Sequence, residues 1–179
     1  MATKKYFISI LLLFVTAIAF AQTKQTVTKS SVTFKIKNLG LTVDGTISGF
    51  KGDIQFDAAH LETSAIEAFV DANTIDTDND TRNEHLKSDS YFDAAKYPKI
   101  TLKSVSFKHK SGSNYTAKFN LTLKDKTNPV DIPFTYTEAG STASFKGSLK
   151  IKRTDFDVGG SSMIMSNDVL INIDVTTSK

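Results

Sequence analysis

The chain has 179 residues, and its 22 basic and 19 acidic side chains give a formal net charge of +3. It contains no cysteine, which excludes disulfides, a cysteine nucleophile and thiolate-bound zinc. The nearly balanced charge gives no electrostatic basis for binding nucleic acid or an anionic membrane surface, and the length suits one domain with a full core.

The first residues predict a secretory signal peptide. Lys4 and Lys5 precede an apolar run from Tyr6 to Phe20, and Ala21 supplies the small residue at the cleavage position. We expect residues 1–21 to be removed, which leaves residues 22–179 as a single periplasmic or secreted domain without stable membrane insertion. An uncleaved anchor is the alternative, although the run is short for a membrane span of about 20 residues.

Apolar and polar residues alternate along most of the mature sequence with the period of a β-strand. The pattern is clear at Val32, Phe34 and Ile36. It recurs in residues 41–47, 50–56, 115–123, 130–136, 143–151 and 169–175. The apolar face changes phase by one residue at Gly49-Phe50, where we expect a bulge or a sharp bend.

Turn-forming residues separate these runs and predict short hairpins at Asn38-Leu39-Gly40, Ser111-Gly112-Ser113-Asn114 and Glu138-Ala139-Gly140-Ser141. Eight or nine strands joined in this way indicate an antiparallel sheet rolled into a barrel or a sandwich. Closure into a barrel would remove exposed strand edges. We therefore predict an all-β fold, an extended antiparallel eight-stranded β-barrel.

A polar, charged segment of about twenty residues, the crossover (residues 76–98), interrupts the strands. Asp80 is placed to cap a short helix that runs through Leu86. Pro98 disfavours helical geometry at Tyr97 and so marks the start of the next strand. We expect the crossover to close part of the structure.

The crossover also contains an acidic run that does not meet the requirements of a calcium loop. Asp76, Asp78 and Asp80 have the right spacing for its start. The sixth and twelfth positions, where an EF-hand needs Gly and Glu, are Thr81 and Lys87. A solvated turn with a helix cap is the favoured interpretation.

The sequence predicts no metal centre and no serine nucleophile. His60, His85 and His109 lie in separate segments without a metal-binding spacing. Gly159-Gly160-Ser161-Ser162-Met163 lacks the final glycine of a nucleophile elbow.

One enzymatic alternative remains, a hydrolase that uses Asp76, Glu84, His85 and Asp93 as its acid–base set. General acid–base catalysis requires these groups to lie within hydrogen-bond reach of one another and of an open cleft. The chain is otherwise poor in catalytic groups. We therefore expect a binding protein with no catalytic residue, metal or other cofactor.

The predicted inward faces mix large side chains with small ones at Gly45, Ala117 and Gly147. This mixture fits either an interdigitated core or an elongated apolar cavity, because an eight-stranded barrel can be filled or hollow. In a hollow barrel, Tyr136 would offer its hydroxyl to a polar head group near one mouth. Strand periodicity gives the candidate ligand-binding residues Phe34, Ile36, Val43, Ile54, Phe56, Phe119, Leu121, Phe134, Tyr136, Phe145 and Leu149.

Three segments, in order, resemble the YceI-like family. They are the opening strands from Ser31 to Asp57, the segment from Ile75 to Ile100 that contains the crossover, and Lys152–Gly159, which is similar to the family's Asn-Arg-x-Asp-Phe-Gly-x-Gly motif. The resemblance extends from Ser31 to Val175. We expect Arg153 of the last motif to be structural and to pair with a carboxylate such as Asp155 or Asp93.

The sequence departs from the family pattern at three places. Asn38 stands where many members have a histidine, Lys124–Thr127 replaces a glycine-centred turn, and Asp157 replaces a glycine. These changes leave the predicted frame intact but bear on which ligand the protein takes.

The resemblance implies a lipocalin-like barrel with one or two short helices in the crossover. It also implies that an apolar long-chain lipid, an isoprenoid such as a quinone or a polyprenyl phosphate, is bound or carried in the periplasm. We expect no nucleic-acid partner and a monomer or homodimer. A filled barrel that acts as an interaction or envelope-stress module without a lipid is the alternative from another class.

Overall fold

The computed structural model describes residues 24–179, and the predicted signal peptide lies outside them. Nine strands and one α-helix make up most of the described chain. The strands are β1 (Thr26–Asn38), β2 (Leu41–Thr46), β3 (Lys51–Gln55), β4 (Ala65–Asp71), β5 (Lys99–Ser111), β6 (Asn114–Leu123), β7 (Lys126–Ala139), β8 (Thr142–Lys152) and β9 (Met165–Ser178). The helix α1 (Asp80–Lys87) lies in the crossover, and short 3₁₀ turns occupy Leu61–Thr63, Ala72–Thr74 and Arg153–Phe156.

All nine strands form one antiparallel sheet in the order β2-β1-β9-β8-β7-β6-β5-β4-β3. The sheet curls, so that Gln25, just before β1, forms an antiparallel bridge with Ile54 of β3. The predicted all-β, barrel-like architecture with a short helix in the crossover is confirmed. The inward side chains of all strands therefore face a common interior.

The strand count is nine rather than the predicted eight because one run is divided in two. β2 pairs with β1, whereas β3 pairs with β4. Between them the chain bends at Gly49, which has a φ of +70°. A Cβ there would lie 3.0 Å from the Cβ of Asp71, so the bend needs glycine for space as well as for conformation. This is the predicted change of phase.

Aromatic side chains fill the interior at one end of the sheet, which we call the packed end. The Phe56 ring lies 4.6 to 5.8 Å, centroid to centroid, from the rings of Phe107, Tyr115, Phe134, Tyr136 and Phe145. Gln25 closes this end: its Nε2 donates to the carbonyl of Phe56, and its Oε1 accepts from Thr177 Oγ1. Edge-to-face and tilted ring pairs add to the burial energy here.

The helix α1 begins one residue earlier than predicted. Asn79, not Asp80, is the capping residue, and its Oδ1 accepts from the backbone N–H of Arg82 at 2.8 Å. Asp80 is instead the first helical residue, where its negative charge favours the positive end of the helix dipole.

Asn83, a buried residue of α1, holds the crossover against β2. Its Oδ1 accepts from Thr77 N and Thr77 Oγ1 at 2.9 and 2.7 Å, and its Nδ2 donates to Asp76 Oδ1 at 2.8 Å. The backbone of Asp76 in turn exchanges two hydrogen bonds with Thr46 of β2. The hydrogen bond from Asn83 is the main cause that lowers the pKa of the Asp76 carboxyl. The helix is thus fixed to the sheet by a buried polar network.

Candidate functional site

The interior beyond the packed end contains an apolar cavity, and we call this half of the sheet the hollow end. Seven of the strands contribute to its wall, and the crossover covers it through Leu86, Tyr91 and Phe92. The wall includes Ile36, Val70, Leu102, Leu121, Leu149 and Val169. Alternation brings these side chains inward because every second residue of a strand points to the same face.

The cavity is narrow for the number of residues around it. Its volume is about 160 Å³, counted as the space open to the centre of a water molecule. On that measure a single water needs roughly 10–15 Å³. Because 27 residues share the lining of this small volume, we infer an elongated channel rather than a round chamber. Such a shape suits a linear chain.

We call the end of the cavity at Asn38 and Arg153 the mouth, and four polar side chains contribute to the lining. They are Asn38 at the end of β1, Thr77 and Arg82 of the crossover, and Arg153 after β8. Asn38 pairs with Met165 at the start of β9, and Arg153 bonds to the two residues that follow Met165. Asn38 and Arg153 therefore lie on either side of the first residues of β9.

Arg153 is almost fully buried, with 3% of its surface exposed. Its guanidinium donates four hydrogen bonds of 2.8 to 3.0 Å, to the carbonyl oxygens of Ser166, Val158 and Gly160 and to Asn167 Oδ1. The expected pairing with Asp155 or Asp93 is wrong, because no salt bridge joins Arg153 to any carboxylate of residues 24–179. The side chain instead ties the loop after β8 to the start of β9.

Asn38 presents a buried acceptor that the rest of the fold does not use. Its Oδ1 has no hydrogen-bond partner among residues 24–179. A buried polar atom without a partner costs about 1–3 kcal/mol, and a bound group with a hydroxyl would supply the missing donor. Arg82 lies on the same cavity, with its Nε and Nη2 donating to Thr77.

The structure divides the eleven predicted ligand-binding residues between the two ends of the sheet. Phe34, Ile36, Val43, Leu121 and Leu149 line the cavity. Ile54, Phe56, Phe119, Phe134, Tyr136 and Phe145 belong to the continuous core and do not line it. Periodicity identifies the inward face of a strand but not the position along the barrel axis. Ligand binding by the first five stays a prediction.

Tyr136 does not place its hydroxyl at the mouth. The hydroxyl donates to the carboxylate of Glu138, which also pairs with Lys179. Burial, followed by the hydrogen bond to Glu138, raises the pKa of Tyr136. The ring packs against Phe56 and Phe145 at the packed end.

The small residues expected to leave room for a ligand also lie elsewhere. Ala117 is completely buried in the core, and a Cβ added at Gly147 would lie 3.1 Å from Ile132 Cγ2. At Gly45 the space is taken by the Phe34 ring, since an added Cβ would lie 2.3 Å from its Cζ. Ala68 of β4 is a small residue that does border the cavity.

The crossover contributes a part of the lining that was not predicted from the sequence. Leu86, Tyr91 and Phe92 reach the cavity from a segment that is otherwise polar. The sequence signal that could have identified them is that they are large apolar residues in an otherwise polar segment. Strand periodicity could not reveal them because they belong to a helix and a turn.

The proposed acid–base set does not form a cluster. Asp76 accepts from Asn83, Glu84 pairs with Lys87 at 2.9 Å, and the exposed His85 ring packs against Tyr91. Among the described residues, no hydrogen bond joins any two members of this set, which consists of Asp76, Glu84, His85 and Asp93.

The described residues contain neither a metal-binding cluster nor a membrane-spanning helix. No group of three or more His, Asp or Glu side chains within residues 24–179 is arranged to hold a metal ion. In that part of the chain no helix has both the length and the apolar character required to cross a bilayer.

Comparison with known proteins identifies the family. The profile of the YceI-like domain matches residues 24–177, which is nearly all of the described chain. The chain belongs to the YceI-like family. A UPF0312 protein of Vibrio parahaemolyticus is 30% identical over 145 residues, covering 75% of this chain and 77% of that one. A UPF0312 protein of Yersinia pestis is 31% identical over 134 residues, covering 71% and 69% of the two chains.

Several solved structures share the fold of this chain. BcnA of Burkholderia cenocepacia superposes with a TM-score of 0.79 at 27% identity, over 82% of this chain and 95% of that one. A polyisoprenoid-binding domain from Saccharophagus degradans gives a TM-score of 0.69 at 16% identity, over 87% and 97%. The second likeness shows the fold alone.

Proposed function

We propose that this YceI-like protein binds one long apolar lipid chain, an isoprenoid or a chemically similar lipid, inside the hollow end. The observation that carries the proposal is the apolar cavity of the hollow end, with the unpartnered Asn38 Oδ1 and the buried Arg153 at its mouth. The predicted signal peptide supports a periplasmic or secreted location, where the protein would sequester the lipid or carry it between membranes.

The energetics of such binding require no catalytic group. Each methylene removed from water contributes roughly 0.8 kcal/mol. Ordering a flexible chain and leaving part of it unburied offset much of this sum, which would otherwise exceed the ceiling for non-covalent affinity of roughly 18–21 kcal/mol. A channel lined mainly by apolar side chains, aliphatic and aromatic, is sufficient for this kind of recognition.

The polar mouth gives the bound lipid an orientation. The unused Asn38 Oδ1 suits the hydroxyl of a prenyl alcohol or a quinol, and Arg82 can donate to a head-group oxygen. The tail would then extend from the mouth toward the packed end. The aromatic cluster there sets the far limit of the channel.

The related structures are consistent with this proposal. The domain from Saccharophagus degradans is described as a polyisoprenoid-binding domain, and it shares the fold of this chain. Because the identity is 16%, the ligand of that domain is a guide to the chemical class and no more.

A cavity-filling substitution tests the proposal. Ala68→Leu places a larger side chain into the channel, whereas Ala65→Leu adds the same atoms at an exposed position of the same strand. We expect lipid-free wild-type protein and Ala65→Leu to take up geranylgeraniol in native mass spectrometry, and Ala68→Leu to bind at least about tenfold more weakly. Equal uptake by a folded Ala68→Leu protein, or none by the wild type, would exclude the channel as the binding site.

A further inference from the structure

Four large apolar side chains are exposed beside the mouth, and we call them the mouth patch. Leu39 and Leu41, at the β1–β2 turn, are 69% and 73% exposed. Met163 and Ile164, in the loop before β9, are 104% and 57% exposed. Contiguous exposed apolar side chains on a soluble domain mark a site of interaction with a partner or a membrane.

The two loops form one surface. The backbone N–H of Leu39 donates to the carbonyl oxygen of Ile164 at 2.8 Å. Ser162 Oγ accepts from the backbone N–H groups of Ile164 and Met165 at 3.2 and 3.0 Å. These bonds fix the turn that presents Met163 and hold it next to the hairpin.

Folding alone does not explain a leucine at position 39. Leu39 has a φ of +52° and Gly40 a φ of +77°, as in a type I′ hairpin turn. Asn, Asp and Gly tolerate this backbone conformation, whereas a leucine is strained in it. Because its side chain is exposed, Leu39 gains little packing in return. A strained, exposed apolar residue indicates a role outside the fold.

The two chain segments that form the mouth patch carry no charge. Residues 38–43 and 158–167 contain no Asp, Glu, Lys, Arg or His, although 23% of the whole chain is charged. Insertion into the interface of a neutral bilayer is driven by apolar side chains and needs no attraction to anionic lipid. The composition therefore fits a membrane surface of any charge.

The size and position of the mouth patch favour a bilayer over a protein partner. A stable protein interface buries about 800 Å² on each side, more than four side chains on two turn tips supply. A bilayer accepts convex tips of this kind. The patch also continues into the cavity, because Asn38 and Met165, the neighbours of Leu39 and Ile164, both line it.

We propose that the mouth patch inserts into the surface of a lipid bilayer and sets the mouth against it. An apolar chain could then pass between the bilayer and the channel without crossing water. The passage of the chain rests on the proposed lipid-binding function, whereas docking to the bilayer does not.

Vesicle flotation tests the docking. The mature protein is mixed with vesicles of phosphatidylcholine and phosphatidylethanolamine and compared with a Leu39→Asn, Met163→Ser double variant. Asn suits the left-handed turn and Met163 has no packing to lose, so the double variant should fold. Val105→Ser is the matched control, since Val105 of β5 is 57% exposed and does not belong to the patch.

We expect the wild type and Val105→Ser to float in both low and high salt, and the double variant to partition at least about tenfold less. Failure of the wild type to float, or equal flotation of the double variant, overturns the proposal. So does flotation that requires anionic lipid and disappears in high salt. Loss of a dimer in the double variant, without a change in flotation, would assign the patch to a second copy of the chain and overturn it as well.

Uptake of geranylgeraniol from dilute solution, measured by native mass spectrometry, separates the two proposals. We expect the double variant to take up the alcohol as the wild type does when no vesicles are present. Flotation without any uptake would contradict the lipid-binding function and leave docking supported. Uptake without flotation would contradict docking to the bilayer and leave the lipid-binding function supported.

Discussion

Arg153 is a buried charge whose partners are three carbonyl oxygens and an amide oxygen. Such partners satisfy the donors of the guanidinium without neutralising its charge. The planar fork of an arginine can reach carbonyls on two loops at once, which a lysine cannot do. At this position the sequence motif predicted a structural arginine, but it could not predict the partners because backbone carbonyls leave no trace in the sequence.

We expect Arg153→Ala to lower the free energy of unfolding by at least about 2 kcal/mol, because each buried acceptor left unpaired costs about 1–3 kcal/mol. Urea unfolding measures the effect. Arg153→Lys, the control that keeps the charge, should lose less stability than Arg153→Ala. Full stability of the alanine variant together with loss of prenyl-alcohol binding would instead make Arg153 a ligand-binding residue.

One buried polar side chain, that of Asn83, holds the helix α1 of the crossover in place. Asn83 bonds to Thr77 and Asp76 at once, and Asp76 joins the network to β2. The short helix has little stability of its own, because an isolated helix needs about 12–15 residues. The buried amide therefore keeps α1, and with it Leu86, over the cavity.

Asn83→Ala should raise the pKa of the Asp76 carboxyl toward its ordinary value and destabilise the protein by about 1–3 kcal/mol near neutral pH. A lowered carboxyl pKa contributes stability above the unfolded-state pKa, and this contribution is lost as the pH falls through the lowered value. NMR titration of Asp76 and urea unfolding at several pH values check both effects. An unchanged pKa in the variant would show that another group stabilises the carboxylate.

The secondary-structure elements were the part of the fold that the sequence predicted best. Alternation identified the strands, and Gly49 marked the bend, because both depend on local sequence. The helix cap was misplaced by one residue, since Asn79 and Asp80 are both good capping residues and the sequence does not show which one adopts the extended backbone.

At the scale of the whole molecule, one sheet surrounds two different interiors. The packed end is filled by Phe56 and the five aromatic rings around it, whereas the lining of the hollow end is mainly aliphatic with a few aromatic side chains. The sequence left a filled and a hollow barrel open as alternatives. The structure contains both kinds of interior. In β6, β7 and β8 the large aromatic residues occupy inward positions near one end of the strand and not near the other.

The difference between the ends predicts that the same substitution costs more stability at the packed end than at the hollow end. Ala117→Leu at the packed end should destabilise the protein by about 1–3 kcal/mol through overpacking. Ala68→Leu should cost less, because its added atoms enter the cavity. Thermal or urea unfolding of the two variants makes the comparison. Equal losses would mean that the hollow end has no usable space.

The candidate site was less predictable than the fold. Five of the eleven candidates line the cavity because they are inward residues of the hollow end. The remaining six are equally inward, and their sequence pattern is the same. Separating the two groups requires the register between strands and the side chains of the crossover, which are set by long-range packing.

The dependence of affinity on chain length tests the central claim, that the channel holds a single linear lipid chain. Farnesol, geranylgeraniol and solanesol present the same head group on progressively longer chains, and native mass spectrometry or competition measures each Kd. We predict that geranylgeraniol binds at least about tenfold more tightly than farnesol, since the added isoprene unit is buried, and that the gain levels off for solanesol once the channel is full. Equal affinity for all three alcohols, or binding that Ala68→Leu leaves unchanged, would contradict the account.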